Sequence, residues 1–290
     1  MGKIVRTISA DASVVATAFD AKDVVAEIER IHKPSAVVTA ALGRLSIAAS
    51  LIGMGLKNKE DTVTVRMNGN GPCGTLIAVA DSFGNVKSYV GNPIVEIPLN
   101  NLGKLDVKGA VGTEGTLTVI KDLGLREPYT GQIPIMSGEI AEDIAAYFAI
   151  SEQIPTVCGL GVLVNPDLTV AAAGGYLIQL LPFADEKVID IIENNIKSLP
   201  SVTEMLSSGV TVEEMALKVL DGLTPNVLDD FSAEYKCDCS KERVERALIS
   251  IGREDLKEMA AEKDNTEVCC HFCDKKYSFS SEELIALSNR

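Results

Sequence analysis

The sequence predicts an α+β fold: a large N-terminal mixed α/β domain with mainly antiparallel sheets (residues 1–182), a helical linker (183–230) and a small C-terminal domain (231–290). Three observations carry that division. Strand-length apolar runs joined by short turns fill the first part, and short connections favour antiparallel pairing over βαβ units. From residue 183 the apolar residues switch to helical spacing and the charge becomes strongly acidic. The last sixty residues hold few apolar side chains but five of the seven cysteines.

Taken in order, strands are expected at 3–9, 13–19, 62–67, 75–79, 86–90, 116–120, 128–135, 156–164 and 170–181, with Asp81-Ser82-Phe83-Gly84-Asn85 as a hairpin turn between two of them. Helices are expected at 21–32, 35–57 and 139–153. Residues 37–56 are apolar enough and long enough to span a bilayer. Arg44 in mid-span and the abundance of Gly and Ala predict a buried core helix instead, and no membrane partner. In the linker, Val188, Ile191, Ile192, Ile196 and Leu199 share one helical face, as do Val212, Met215, Ala216, Val219, Leu220 and Leu223, with Pro200 and Gly209 as punctuation. Carboxylates occupy the opposite sides, so each helix must dock its stripe on something. In the C-terminal domain Ser240 is placed to cap a helix reaching Ile251, and residues 253–261 continue it after Gly252. Residues 275–279 are strand-like, and Ser280 with Glu283 makes a capping box that opens a last helix.

The bulk numbers narrow the function classes. With 46% apolar residues in 290, the chain can build a packed core. A net charge of −14 and 4% aromatics without tryptophan leave little with which to grip nucleic acid. Residues 183–230 carry ten acidic residues against three lysines (187, 197 and 218), so −7 of the charge sits there.

The cysteines say most about chemistry. Met1-Gly2-Lys3-Ile4-Val5-Arg6 opens no secretory signal, so the protein is expected in the cytoplasm with its thiols reduced. Paired thiols in such a setting mean metal binding, redox chemistry or both. Cys237-Asp238-Cys239 and Cys270-His271-Phe272-Cys273 supply two close pairs. CxxC is the spacing of a knuckle that aims two thiolates at one ion, and a second pair completes a tetrahedral zinc site. One Zn²⁺ per chain on Cys237, Cys239, Cys270 and Cys273 is therefore expected. It would staple a domain too poor in apolar area to hold itself. Cys269 would give the poorer CxxxC spacing and is expected to stand aside, as is His271 inside the turn. Cys73 and Cys158 lie in strand-like surroundings and are expected to be core residues.

Zinc-bound cysteine is held as thiolate, the form that peroxide or hypochlorous acid attacks. Lys236, Lys241 and the helix N-terminus after Cys239 favour thiolate further. A sulfenic acid formed on one sulfur can be resolved by its neighbour, and two such disulfides would remove all four ligands. A structural zinc contributes ~10–16 kcal/mol of apparent folding free energy in small finger peptides, whereas disulfides closing very short loops constrain little. Oxidation is therefore expected to unfold the domain.

No catalytic constellation is visible, and the protein is not expected to be an enzyme. Gly69-Asn70-Gly71-Pro72-Cys73-Gly74 matches GxGxxG, but a strand follows it and Pro72 removes an amide, so it reads as a turn. A thiol–disulfide oxidoreductase built on Cys270 and Cys273 is the main alternative. It is disfavoured because a strand-like stretch, not a helix, follows the motif.

The CxC and CxxC pairs, following an acidic helical region and a large α+β domain, resemble the heat-shock protein 33 family of redox-regulated holdase chaperones. Gly69-Asn70-Gly71-Pro72, Ser151-Glu152-Gln153-Ile154-Pro155-Thr156 and Ala172-Ala173-Gly174-Gly175 extend the resemblance along the whole chain; Cys269 is not part of the family pattern. The resemblance implies a cytoplasmic protein, inactive when reduced and zinc-bound. It implies activation through disulfides Cys237–Cys239 and Cys270–Cys273, zinc release and unfolding of the C-terminal domain and linker. It also implies a homodimer that, when active, binds unfolding client proteins without ATP.

Overall fold

The computed structural model describes residues 1–182 and 184–289, so Phe183, where the expected linker begins, lies outside the described residues. The elements are β1 (Gly2–Ile8), β2 (Val14–Asp20), α1 (Lys22–His32), α2 (Ala36–Gly53), β3 (Thr62–Asn68), β4 (Leu76–Asp81), β5 (Val86–Val90), α3 (Val107–Val111), β6 (Thr116–Asp122), β7 (Tyr129–Pro134), α4 (Ala141–Tyr147), β8 (Thr156–Val164) and β9 (Val170–Leu180). There follow α5 (Glu186–Ser198), α6 (Val202–Ser207), α7 (Val212–Lys218), β10 (Asn226–Ala233), α8 (Lys241–Ile251), α9 (Arg253–Glu262), β11 (Asn265–Cys269), β12 (Lys276–Ser280) and α10 (Ser281–Ser288). They form two compact units, Met1–Lys236 and Cys237–Arg290.

The first unit holds two five-stranded sheets, ordered β10-β1-β2-β9-β8 and β5-β4-β3-β6-β7, and every strand pairing within them is antiparallel. Helix α2 packs against strands of both sheets. All of its residues except Ala36 and Arg44 are buried, so protein covers the stretch whose mean hydropathy of 1.7 would suit a membrane. Arg44 leaves the helix to pair with Glu139, Nη1 lying 2.8 Å from Oε2 and 3.2 Å from the Glu139 carbonyl. A lone charge on a core helix is thus matched at its rim.

The other face of the first sheet is the dock that the amphipathic stripes require. Val188, Ile192, Val202, Met205, Val212, Met215 and Val219 pack onto Val5, Ala16, Ala18, Tyr176 and Ile178. Strand β9 reconciles the two coverings through small residues. A Cβ on Gly175 would sit 3.0 Å from the Ile47 side chain of α2, and one on Gly174 would sit 2.6 Å from Leu206 of α6. Consecutive strand residues face opposite sides, so both neighbours gain close approach.

The structure departs from the expected elements in several places. Residues 226–230, expected as helix, belong to β10, which pairs with β1 and sets Phe231 opposite Ile4 and Asp229 opposite Arg6. Pro225 bars a continuing helix, and Arg6 fastens the new strand. Its guanidinium makes a two-pronged bond to the Asp229 carboxylate, with Nε 2.7 Å from Oδ1, and lies over the Phe231 ring. The helix expected at 139–153 begins at Ala141 and ends in a π-helical turn, Phe148–Glu152. The short helix α3 and the strand β11 had not been expected.

Beyond β10 the chain is clasped to β5. Val86 N donates to the Glu234 carbonyl (3.0 Å), Lys236 N donates to the Val86 carbonyl (2.9 Å), and the Tyr235 hydroxyl bonds both main-chain groups of Ser88. This parallel bridge ties one sheet to the other just before Cys237.

The GxGxxG segment is a turn between β3 and β4. Gly71 N and Cys73 N donate to the Val111 and Ala110 carbonyls at the end of α3, which leaves no cradle for a phosphate. Gly112 closes this junction at φ +81°, where a Cβ would lie 2.1 Å from the Gly69 carbonyl oxygen. Gly112→Ala is expected to lower stability by at least about 3 kcal/mol, combining left-handed strain with backbone overlap. Gly103→Ala, also at positive φ but with open space around it, should cost only ~1–2 kcal/mol. Urea unfolding followed by circular dichroism decides; equal losses would show that the junction is not sterically tight.

Candidate metal and redox centre

The C-terminal unit has a small apolar centre of Leu248, Leu256, Tyr277, Phe279, Leu284 and Leu287, with Cys239, Val244, Val268 and Cys270 packed against it. Two local structures present the four sulfurs. In the first, the CxC segment runs into α8. The Ser240 hydroxyl caps that helix by accepting from Arg243 N (3.3 Å), and the Arg243 guanidinium returns to the Asp238 carbonyl (3.2 Å) and carboxylate. Asp238 is thereby turned outward from between the two cysteines. In the second, β11 and β12 form a hairpin with Val268 opposite Tyr277 and Cys269 opposite Lys276. Its tip is a tight turn: Cys270 N donates to the Lys275 carbonyl (2.9 Å), and Cys273 N (3.3 Å) and Asp274 N (2.8 Å) donate to the Cys270 carbonyl. Asp274 adopts φ +57°, a left-handed position that Asp tolerates.

The Sγ atoms of Cys237, Cys239, Cys270 and Cys273 all lie within 4.8 Å of one another. Cys237 is 3.7 Å from Cys270 and Cys239 is 3.4 Å from Cys273, sulfur to sulfur, and all four are free thiols. A tetrahedral zinc with Zn–S bonds of ~2.3 Å separates its sulfurs by about 3.8 Å. The donor set and its spacing therefore fit a four-thiolate zinc site, and the unit fits a zinc-binding domain.

Cys269 is exposed and stands outside the group, because consecutive residues at the end of β11 point to opposite sides. His271 offers no ring nitrogen to the group either. Cys73 is buried, and burial pushes its thiol up to about 11; Cys158 lies partly buried against the core, and burial pushes its thiol up to about 12. Neither is suited to thiolate chemistry. The CxxC motif sits on a hairpin turn rather than at the start of a helix, as the strand-like stretch after it had suggested.

One electrostatic expectation changes. Lys241 does not serve the sulfurs; its ammonium pairs with Glu283 at 2.6 Å and lies 5.0 Å from the centre of the Phe279 ring. The residue that spacing arguments missed is Tyr277, whose hydroxyl donates to Cys239 Sγ at 3.1 Å. Burial pushes the Cys239 thiol up, but the Tyr277 hydroxyl and the three neighbouring thiols outweigh it and bring it down to about 7. Burial pushes the Cys273 thiol up. A signal for Tyr277 did exist: period-two alternation in β12 buries Tyr277 and Phe279, and a buried phenol needs a hydrogen-bond partner.

A family model described as Hsp33 protein matches residues 2–280. The chain is 49% identical over 287 residues to the 33 kDa chaperonin of Clostridium beijerinckii, covering 99% of this chain and 98% of that one. It is 49% identical over 284 residues to the 33 kDa chaperonin of Clostridioides difficile, covering 98% and 97%. The crystal structure of the 33 kDa chaperonin (heat shock protein 33 homolog) from Thermotoga maritima is similar with a TM-score of 0.90 at 38% identity, over 99% of this chain and 97% of that one.

The geometry makes a ligand-by-ligand prediction. A quarter of the ~10–16 kcal/mol of a structural zinc site is about 2.5–4 kcal/mol, or on the order of a hundredfold to a thousandfold in affinity. Serine at Cys237, Cys239, Cys270 or Cys273 should each weaken zinc by that factor in chelator competition, while Cys269→Ser should leave it unchanged. A loss at Cys269 equal to that at Cys270 would reassign the ligand set.

Proposed function

The chain belongs to the Hsp33 family and is therefore a chaperone; on that premise we propose that it is a redox-switched, ATP-independent holdase whose trigger is the four-cysteine centre. The observation that carries the reading is the convergence of four sulfurs in a unit with so small an apolar centre. A bound Zn²⁺ would be held by Cys237, Cys239, Cys270 and Cys273 and would cross-link the CxC segment to the hairpin. That form is the inactive one.

Peroxide activates it in two balanced steps. A thiolate attacks one peroxide oxygen, the O–O bond breaks, and a sulfenic acid and hydroxide result. A second cysteine then attacks the sulfenic sulfur, forming the S–S bond and releasing water after proton transfer. Two peroxides oxidise the four thiols to two disulfides. Cys237 approaches Cys270 at 3.7 Å and Cys239 approaches Cys273 at 3.4 Å, yet disulfides formed between the motifs would preserve the tie. Pairing within each motif, Cys237 with Cys239 and Cys270 with Cys273, removes it, and activation requires its removal.

With the tie gone the C-terminal unit is too small to stay folded. Disorder then begins at the end of the clasp, because Lys236 is followed directly by Cys237. Residues 183–230 act as the linker that yields next: the apolar faces of α5–α7 and the sheet face beneath them become surface for unfolding clients. The −7 charge of this region limits self-aggregation while that surface is open. The active form is a homodimer, the setting is the cytoplasm, and the protein turns over no substrate.

Oxidation of the zinc-loaded protein with peroxide should release zinc, seen with a chromogenic chelator, in step with suppression of light scattering by a thermally unfolding client. Both should reverse with a dithiol. Zinc release without suppression would reduce the centre to a structural staple, and peptide mapping that found 237–270 and 239–273 disulfides in the active protein would overturn the pairing.

A further inference from the structure

Tyr277 faces the centre without being one of its ligands. It lies on β12, 8% exposed and fixed in the apolar centre with Phe279, opposite Val268 across the hairpin. The Lys275 ammonium lies 5.3 Å from the centre of its ring. Its hydroxyl reaches Cys239 Sγ at 3.1 Å, within range for a hydrogen bond to sulfur. A donor aimed at a metal-bound sulfur withdraws electron density from it. It also fixes the ligand's orientation, and partners of this kind typically carry a factor of about 10–100 in metal affinity.

We infer that Tyr277 is a positioning residue that orders the redox trigger: its hydrogen bond shields Cys239, so that oxidation starts at another of the four sulfurs, and it slows loss of the metal. The inference rests on the four-thiolate reading of the centre. The hydroxyl does not alter the reaction's balance, since peroxide remains the oxidant and each sulfenic acid is still resolved by a second cysteine. It determines where the first oxygen goes. The switch then opens from a defined side instead of firing at whichever sulfur meets oxidant.

The test uses the full-length, zinc-loaded chain and the Tyr277→Phe variant, which removes one oxygen and keeps the ring. Sub-stoichiometric iodoacetamide followed by peptide mass spectrometry ranks the four cysteines by nucleophilicity, and chelator competition gives zinc affinity. In the unaltered protein Cys239 should be the least alkylated of the four; finding it the most alkylated would overturn the inference with no variant needed. In Tyr277→Phe, Cys239 should rise in the ranking and zinc affinity should fall about tenfold. Phe279→Leu loosens the same apolar centre but keeps the Tyr277 hydroxyl, so it should speed zinc loss and leave the ranking as it was. An unchanged ranking in zinc-loaded Tyr277→Phe overturns the inference alone. Failure of the unaltered protein to bind zinc overturns the metal reading, and this inference with it.

Discussion

The two units rest on different kinds of cohesion, and that asymmetry underlies the rest. Unit Met1–Lys236 has a helix, α2, buried against strands of both five-stranded sheets. Among its described residues, unit Cys237–Arg290 has six buried apolar side chains and four converging sulfurs. Burial of apolar area is indifferent to oxidants, whereas a thiolate centre is destroyed by them. One unit is held by a large apolar core and the other by a small apolar centre beside four sulfurs.

The sheet β10-β1-β2-β9-β8 carries a separate covering on each face. One of its faces is committed to α2 and the other to α5–α7. The second covering consists of short amphipathic helices with acidic outer sides. Its apolar contacts form a cluster of their own, distinct from the main core. Gly174 and Gly175 in β9 let both coverings approach closely. The clasp at Val86 and Tyr235 lies between this region and Cys237 in the chain.

Hydrogen bonding makes the four sulfurs inequivalent although the motif presents them as a set. Cys239 faces a buried phenol; Cys270 lies at the tip of a hairpin turn. A bound metal would hold all four in one charge state, yet their reactivity toward an oxidant would follow the donors around each.

The sequence by itself determined which four cysteines could share one centre. CxC and CxxC are local spacings, and the turn that brings Cys270 and Cys273 together is made of those four residues and the two after them. The capping of α8 and α10 was legible for the same reason, as were the amphipathic stripes of α5 and α7 and the burial of α2, which Arg44 and the small residues announced. Tertiary structure alone decided what covers those stripes, because a stripe states that a partner exists and not which one. It also decided that residues 226–230 join β10 as an edge strand, a choice made by Arg6 and Ile4 more than two hundred positions away. Lys241 was misread because its neighbour in space, Glu283, is distant in sequence. Tyr277 escaped notice because its partner sulfur belongs to the other motif. In each case the deciding contact spans a long loop of chain, and no local period or spacing can encode it.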